Sequence, residues 1–223
     1  MGTQRKELPA IYLIPGLGAD HRIFSKLDLS GLEVHHLDWP EMPTGSSLED
    51  YAAKLAERVD AGRPHVLVGV SMGGMVAQEL ASLTGPEKVV LISTWTGPEE
   101  MPPPIRALRH THPEKLLTKT VLESSLPLIR WQMGAESAEE QRFLEEQINA
   151  HSIDQLKVQI GAVLGWEGPR KAPKHKVRIH GSKDRLMPRS YIKDARMVPK
   201  GGHLMVYDKA DEVGRCIREA LSA

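Results

Sequence analysis

Short apolar runs alternate along the chain with stretches whose apolar residues recur at helical spacing. Ile11-Tyr12-Leu13-Ile14, His65-Val66-Leu67-Val68-Gly69 and Lys88-Val89-Val90-Leu91-Ile92 are mostly apolar and bounded by turn residues. Strands covered on both faces read this way, because neither side of the pleat meets water. Residues 33–37, 176–180 and 195–198 predict three weaker strands. Between the strands, Leu48, Tyr51, Leu55 and Val59 share one helical face behind a capping-box pattern of Ser46 and Glu49. Residues 72–83 predict a helix of small side chains. Near the end, Val213, Cys216, Ile217, Ala220 and Leu221 form an apolar stripe, with Asp208 as its expected N-cap. Strand and helix in alternation imply an α/β fold: a mostly parallel sheet of about six strands flanked by helices.

Residues 94–173 break this rhythm. They offer no convincing strand and open with prolines at Pro98 and Pro102-Pro103-Pro104. Helical patterns follow, two of them behind capping boxes, Ser137 with Glu140 and Ser152 with Gln155. The expected organisation is a core of residues 1–93 and 174–223 with a helical insertion, residues 94–173, between two strands of the sheet. The basic cluster Arg170, Lys171, Lys174, Lys176 and Arg178 reads as a solvated loop.

Composition narrows the function classes. Twenty-nine basic residues balance twenty-nine acidic ones, so the chain lacks the basic excess of a non-specific nucleic-acid or anionic-membrane binder. A single cysteine, Cys216, excludes an internal disulfide framework and a cysteine-based zinc site. No apolar run approaches a membrane span, and the run at Ile11 is too short for the core of a secretion signal. A cytoplasmic location is the expectation.

Chemistry is concentrated in four places. Gly69-Val70-Ser71-Met72-Gly73-Gly74 matches G-x-S-x-G, with an apolar strand before it and a helix after it. A sharp strand-to-helix turn lifts a serine hydroxyl above a sheet, and the helix start supplies N–H groups for a developing negative charge. Pro15-Gly16-Leu17-Gly18-Ala19-Asp20 follows the first strand. The third glycine of a dinucleotide loop is replaced by His21, which favours an oxyanion loop with the amides of Leu17 and Met72 as donors. A serine needs a base and the base an orienting acid. Of ten histidines, His203 in Lys200-Gly201-Gly202-His203 has the loop context for the base. Asp184, just past the strand of residues 176–180, is the first candidate for the acid, with Asp38, Glu99 and Glu100 as weaker ones.

On these segments the chain resembles the α/β-hydrolase family. The order Ser71, Asp184, His203 is that family's order of nucleophile, acid and base, and the resemblance covers most of the chain. Residues 94–173 stand where the family carries its helical lid. Three departures are visible: about ten residues precede the first strand, nineteen positions separate Asp184 from His203, and Pro15 stands where many relatives have histidine. A reduced sheet is therefore expected. The resemblance implies a serine hydrolase that cleaves a small-to-medium, largely apolar carboxylic ester through an acyl-enzyme, with no metal or organic cofactor. Thioesterase or perhydrolase chemistry on the same three residues, and a non-catalytic ligand-binding protein of the same fold, are the alternatives. Trp95 and Trp131 are expected to line the acyl pocket.

Overall fold

The computed structural model describes residues 9–222; residues 1–8 and 223 of the expected core lie outside them. Six parallel strands form one sheet in the order β2-β1-β3-β4-β5-β6. They are β1 (Ala10–Ile14), β2 (Val34–His36), β3 (His65–Val70), β4 (Lys88–Ile92), β5 (Lys176–Gly181) and β6 (Arg196–Val198). The registers run continuously across the centre: Ile14 stands beside Gly69, and Val70 beside Ile92. Every residue of β1 and β3 is buried. These are the strands that the unbroken apolar runs mark, as two-sided burial requires.

The pleat sends alternate residues to opposite layers. Tyr12, Ile14, Leu67, Val89 and Leu91 pack on α1 (Leu48–Ala56) and α2 (Met72–Thr84). Ile11, Leu13, Val66, Val68, Val90 and Ile92 pack toward α8 (Ala210–Ser222) and Ile23 and Phe24 on the other face. The chain order places β2 on one side of β1 and β3 on the other, so the carboxyl ends of β1 and β3 flank the crevice where α/β sheets bind ligands.

Residues 94–173 contain no strand and form α3 (Pro103–Ala107), α4 (Lys119–Met133), α5 (Ala138–Asn149) and α6 (Ile153–Gly165). The capping boxes at Ser137 and Ser152 begin α5 and α6. Two buried clasps tie the ends of this stretch to the sheet layer. Arg178 on β5 donates to both carboxylate oxygens of Glu100, and the Trp166 indole N–H donates to Glu79 on α2. Burial pushes the Glu79 carboxyl above its ordinary range, against the hydrogen bonds from Trp166 and the Arg170 amide.

Three local expectations need correction. The first box is Ser47 with Asp50, one residue beyond Ser46 and Glu49, while Leu48, Tyr51 and Leu55 face the core as the spacing predicts, joined by Ala52. Asp208 closes a short helix, α7 (Met205–Asp208), and does not cap α8. Arg178 is not part of a solvated loop: it is 7% exposed, and its guanidinium is held by Glu100 and the carbonyls of Thr94 and Lys193.

Candidate active site

Ser71 sits at the turn between β3 and α2 with φ 54° and ψ −121°, a conformation that costs a non-glycine residue about 1–3 kcal/mol. Its surroundings hold it there. The Ser71 amide donates to the Ile92 carbonyl at 2.9 Å, and the Thr94 hydroxyl donates to the Ser71 carbonyl at 2.6 Å. The turn is tight because two glycines let backbone pass. A Cβ on Gly69 would overlap the Gly73 carbonyl, and one on Gly73 would overlap the carbonyl oxygens of Ile14 and Pro15.

The loop after β6 returns His203 to this turn. Its Nε2 lies 3.0 Å from Ser71 Oγ, and its Nδ1 lies 2.8 Å from Asp184 Oδ2. A carboxylate only accepts, so the proton at the second contact is on Nδ1 and Nε2 is free to accept the Ser71 hydroxyl. His203 and Asp184 are 3% and 5% exposed. Asp184 also accepts the Met187 amide at 2.8 Å. Burial pushes the Asp184 carboxyl up, but the charge and hydrogen bond of His203 and the Met187 amide outweigh it, so its pKa lies below the usual carboxylate value.

His180 lies under this pair and is a residue the sequence pattern did not single out. Its Nε2–H donates to the Met187 carbonyl at 2.8 Å, and the same nitrogen is 3.5 Å from Asp184 Oδ2. Burial pushes its pKa below the ordinary histidine value, against the pull of the Asp184 charge and the Met187 carbonyl. The other carboxylates considered for the acid are engaged elsewhere. Asp38 accepts the amide and ring Nδ1–H of His21, while Glu100 is bound to Arg178. Glu99 lies beside Gly97, in the turn before α3.

Ser71 and His203 open on a cavity of about 410 Å³, an ordinary size for a small-molecule site. The loop after β1 contributes Gly16, Leu17, Gly18 and Ala19, and the elbow contributes Val70, Met72 and Met75. The opposite wall comes from the helices of residues 94–173, through Leu122, Ile129, Leu144, Ile148, Leu156 and Val163. No Asp, Glu, Lys or Arg lines it. Met72 is the first residue of α2, so its amide has no carbonyl one turn earlier to bond. Leu17 and Met72 thus stand together at the cavity floor.

The two tryptophans do not fit their expected place. Trp131 is 57% exposed, on the outer side of α4 under the Arg185 guanidinium, and Trp95 is buried in the α1–α2 layer. Neither lines the cavity. The residue type marked apolar weight, but only the helix phase and the tertiary packing decide which way it faces. Aliphatic side chains make most of the wall instead, with Ser125, Gln132 and Gln147 among them, and their helical spacing in α4 to α6 was the available signal.

Among the described residues, no cluster of His, Cys, Asp and Glu is arranged to hold a metal ion, and no helix is long and apolar enough to cross a membrane.

Comparison with known proteins agrees with this geometry at the level of fold and family. A profile described as "Alpha/beta hydrolase family" matches residues 11–215. No curated protein matches the chain. Among solved structures, a thermophilic esterase from Thermogutta terrifontis is 18% identical with a TM-score of 0.75, covering 96% of this chain and 89% of that one. A hydrolase from Pseudomonas aeruginosa PA01 is 18% identical with a TM-score of 0.76, covering 98% and 91%. MenH from S. aureus is 17% identical with a TM-score of 0.76, covering 100% and 96%. At these identities the likeness is one of fold. The family profile spans nearly the whole described chain over the strands, elbow and loops set out above, and the chain belongs to the alpha/beta hydrolase family.

Proposed function

We propose that the protein is a serine hydrolase that cleaves a small-to-medium, largely apolar carboxylic ester. The observation that carries this reading is the unbroken relay from Ser71 Oγ through His203 to Asp184, opening on a cavity with largely aliphatic, uncharged walls. Ser71 attacks the ester carbonyl carbon while its proton passes to His203 Nε2. Asp184 holds the ring by Nδ1 and stabilises the imidazolium. The amides of Leu17 and Met72 donate to the oxyanion of the tetrahedral intermediate. As the carbon–oxygen bond to the leaving group breaks, His203 returns its proton to the departing alcohol. Water then attacks the acyl-enzyme with His203 as base, releasing the acid and restoring the Ser71 hydroxyl.

The missing charge on the cavity walls favours a neutral, apolar acyl or alcohol group, since a charged group would lose its hydration without a partner. Residues 94–173 act in this reading as a lid that supplies half the substrate cavity and excludes water from the acyl-enzyme. Fold neighbours that are esterases, such as the one from Thermogutta terrifontis, are in keeping with ester chemistry.

The test is turnover of aryl esters of increasing acyl length, set beside acyl thioesters of matched length. On the proposed reading kcat/KM rises with ester length until the cavity is filled and then falls. Faster turnover of the thioesters at equal length would move the assignment to a thioesterase. Tight binding without turnover would make the protein a ligand binder.

A further inference from the structure

The Leu17 amide is a useful oxyanion donor only if its peptide plane is held in one orientation, and the two peptides that flank Leu17 are each clamped by a side chain from another element. The first peptide joins Gly16 C=O to Leu17 N–H. Its oxygen accepts the indole N–H of Trp39 at 2.8 Å. In a planar trans peptide the C=O and N–H point in opposite directions. Trp39 is not a cavity residue; it packs on the α1–α2 layer, edge-on to Tyr51 at 5.3 Å between ring centres. Holding the oxygen toward Trp39 therefore turns the Leu17 N–H the other way, to the cavity side where Ser71 lies.

The second peptide joins Leu17 C=O to Gly18 N–H. Its N–H donates to Gln159 Oε1 at 2.8 Å. Gln159 is 1% exposed, on α6, and also stays out of the cavity lining. Gly18 has φ +63°, and the tight turn there is closed by the Ala19 amide, which donates to the Gly16 carbonyl at 3.3 Å, so that oxygen is shared between Trp39 and the turn while Gln159 holds the second peptide. A second glutamine from the same helical stretch repeats the pattern two residues on. Gln147 accepts the Asp20 amide at 2.9 Å and donates to the Asp20 carboxylate at 3.0 Å.

We infer that Trp39 and Gln159 are positioning residues for the oxyanion site, aiming the Leu17 amide by clamping the peptides on either side of it. The inference deepens the hydrolase reading above and rests on it. Neither side chain touches substrate. Both act on a donor that matters most when negative charge develops, so their loss falls on the transition state and spares ground-state binding. Gln159 sits on α6, so the helices over the cavity also set the geometry of its floor.

The experiment compares wild type with Trp39→Phe, which keeps the ring and removes the N–H, and with Gln159→Met, which keeps the length and removes the acceptor. Three quantities are read on each: kcat and KM for one aryl ester, the inhibition constant of an alkyl boronic acid that forms a tetrahedral anion at Ser71, and that of an unreactive ether of matched length. Active sites are counted by fluorophosphonate labelling carried to completion, and the melting temperature reports folding. Loss of one oxyanion donor costs about 10²–10³-fold in kcat, so loss of its aim should cost roughly 10-fold to 100-fold. KM and the ether constant should stay within about twofold, and the boronate constant should rise by the same factor as kcat falls. Wild-type kcat and boronate affinity in both folded variants would overturn the clamp while leaving the hydrolase reading intact. Equal weakening of ether and boronate would also overturn it, since that is the mark of a collapsed cavity. A wild-type protein without Ser71-dependent turnover would overturn the hydrolase reading, and the clamp with it.

Discussion

Replacing Asp184 with asparagine keeps the shape of the acid and removes its charge, and the surrounding hydrogen bonds set the size of the effect. The carboxylate accepts two N–H groups, from His203 Nδ1 and from the Met187 amide, both at 2.8 Å. Asparagine has one oxygen. If that oxygen stays on the Met187 amide, the new NH₂ faces His203 Nδ1, so the ring must accept there and carry its proton on Nε2. The base is then blocked on the side that faces Ser71. If the oxygen turns to His203, the NH₂ meets the Met187 N–H and a buried donor is left unpaired, at about 1–3 kcal/mol. The blocked tautomer is favoured by that amount. Loss of the carboxylate that stabilises the imidazolium adds roughly 1.5 kcal/mol, the order of a charge-assisted over a neutral hydrogen bond. Together these predict a fall in kcat/KM of roughly 10²–10³-fold; the matching exchange in a serine protease costs about 10⁴-fold in kcat. The assay is steady-state hydrolysis of one aryl ester by Asp184→Asn, Asp38→Asn and Glu99→Gln, each checked for folding by circular dichroism. Asp38 and Glu99 should change kcat/KM by less than about threefold, the surface-residue expectation. Near-normal activity in Asp184→Asn with loss in Asp38→Asn would refute the reasoning.

Other expectations follow from the same geometry. The Asp184 pKa is lowered in the fold, so its stabilisation is present above the unfolded carboxylate value of about 3.9 and is lost as pH falls through the lower folded value; urea midpoints of wild type and Asp184→Asn should converge below about pH 4, and a constant gap down to the lowest pH would contradict it. Gly73→Ala should destabilise or prevent folding, because its Cβ meets the carbonyls of Ile14 and Pro15, backbone that cannot swing away; an unchanged melting temperature would count against the packing of the elbow. Leu122→Trp, in the cavity wall, should shorten the preferred acyl chain, while Trp131→Ala on the outer side of α4 should leave chain-length preference unchanged. Hydrogen exchange should be faster across α4, which has no buried residue, than in Val66–Val68 at the centre of β3; equal protection in both would argue against a mobile lid.

The sheet was legible because a parallel strand covered on both faces must be largely apolar, and β1, β3 and β4 meet that condition apart from His65 and Lys88 at the starts of β3 and β4. Ser71, His203 and Asp184, which the structure brings together, could be picked out as candidates because turn glycines and strand ends mark where a side chain leaves the sheet. What escaped reading depends on contacts across long sequence separations. Arg178 lies among four other basic residues in the sequence, and only the distant Glu100 turns it into a buried ion pair. Residues 46–50 read Ser-Ser-Leu-Glu-Asp and offer two overlapping capping boxes, of which the structure forms the second, Ser47 with Asp50. Trp39 and Gln159 carry no local signal of their tasks, since each acts on a backbone group in the loop after β1. Trp95 and Trp131 show the converse, an aromatic identity that suggests a pocket without fixing the face.

The central claim is that Ser71 is a nucleophile activated by His203. Its most direct test is labelling of the folded protein with a fluorophosphonate, followed by peptide mapping, on wild type, Ser71→Ala and His203→Ala. One label per chain on the peptide carrying Ser71 is expected, with none on Ser71→Ala and labelling slowed by roughly 10³-fold or more on His203→Ala, the order of loss when a triad member is removed. A label on any other serine, or undiminished labelling of Ser71→Ala, would contradict it.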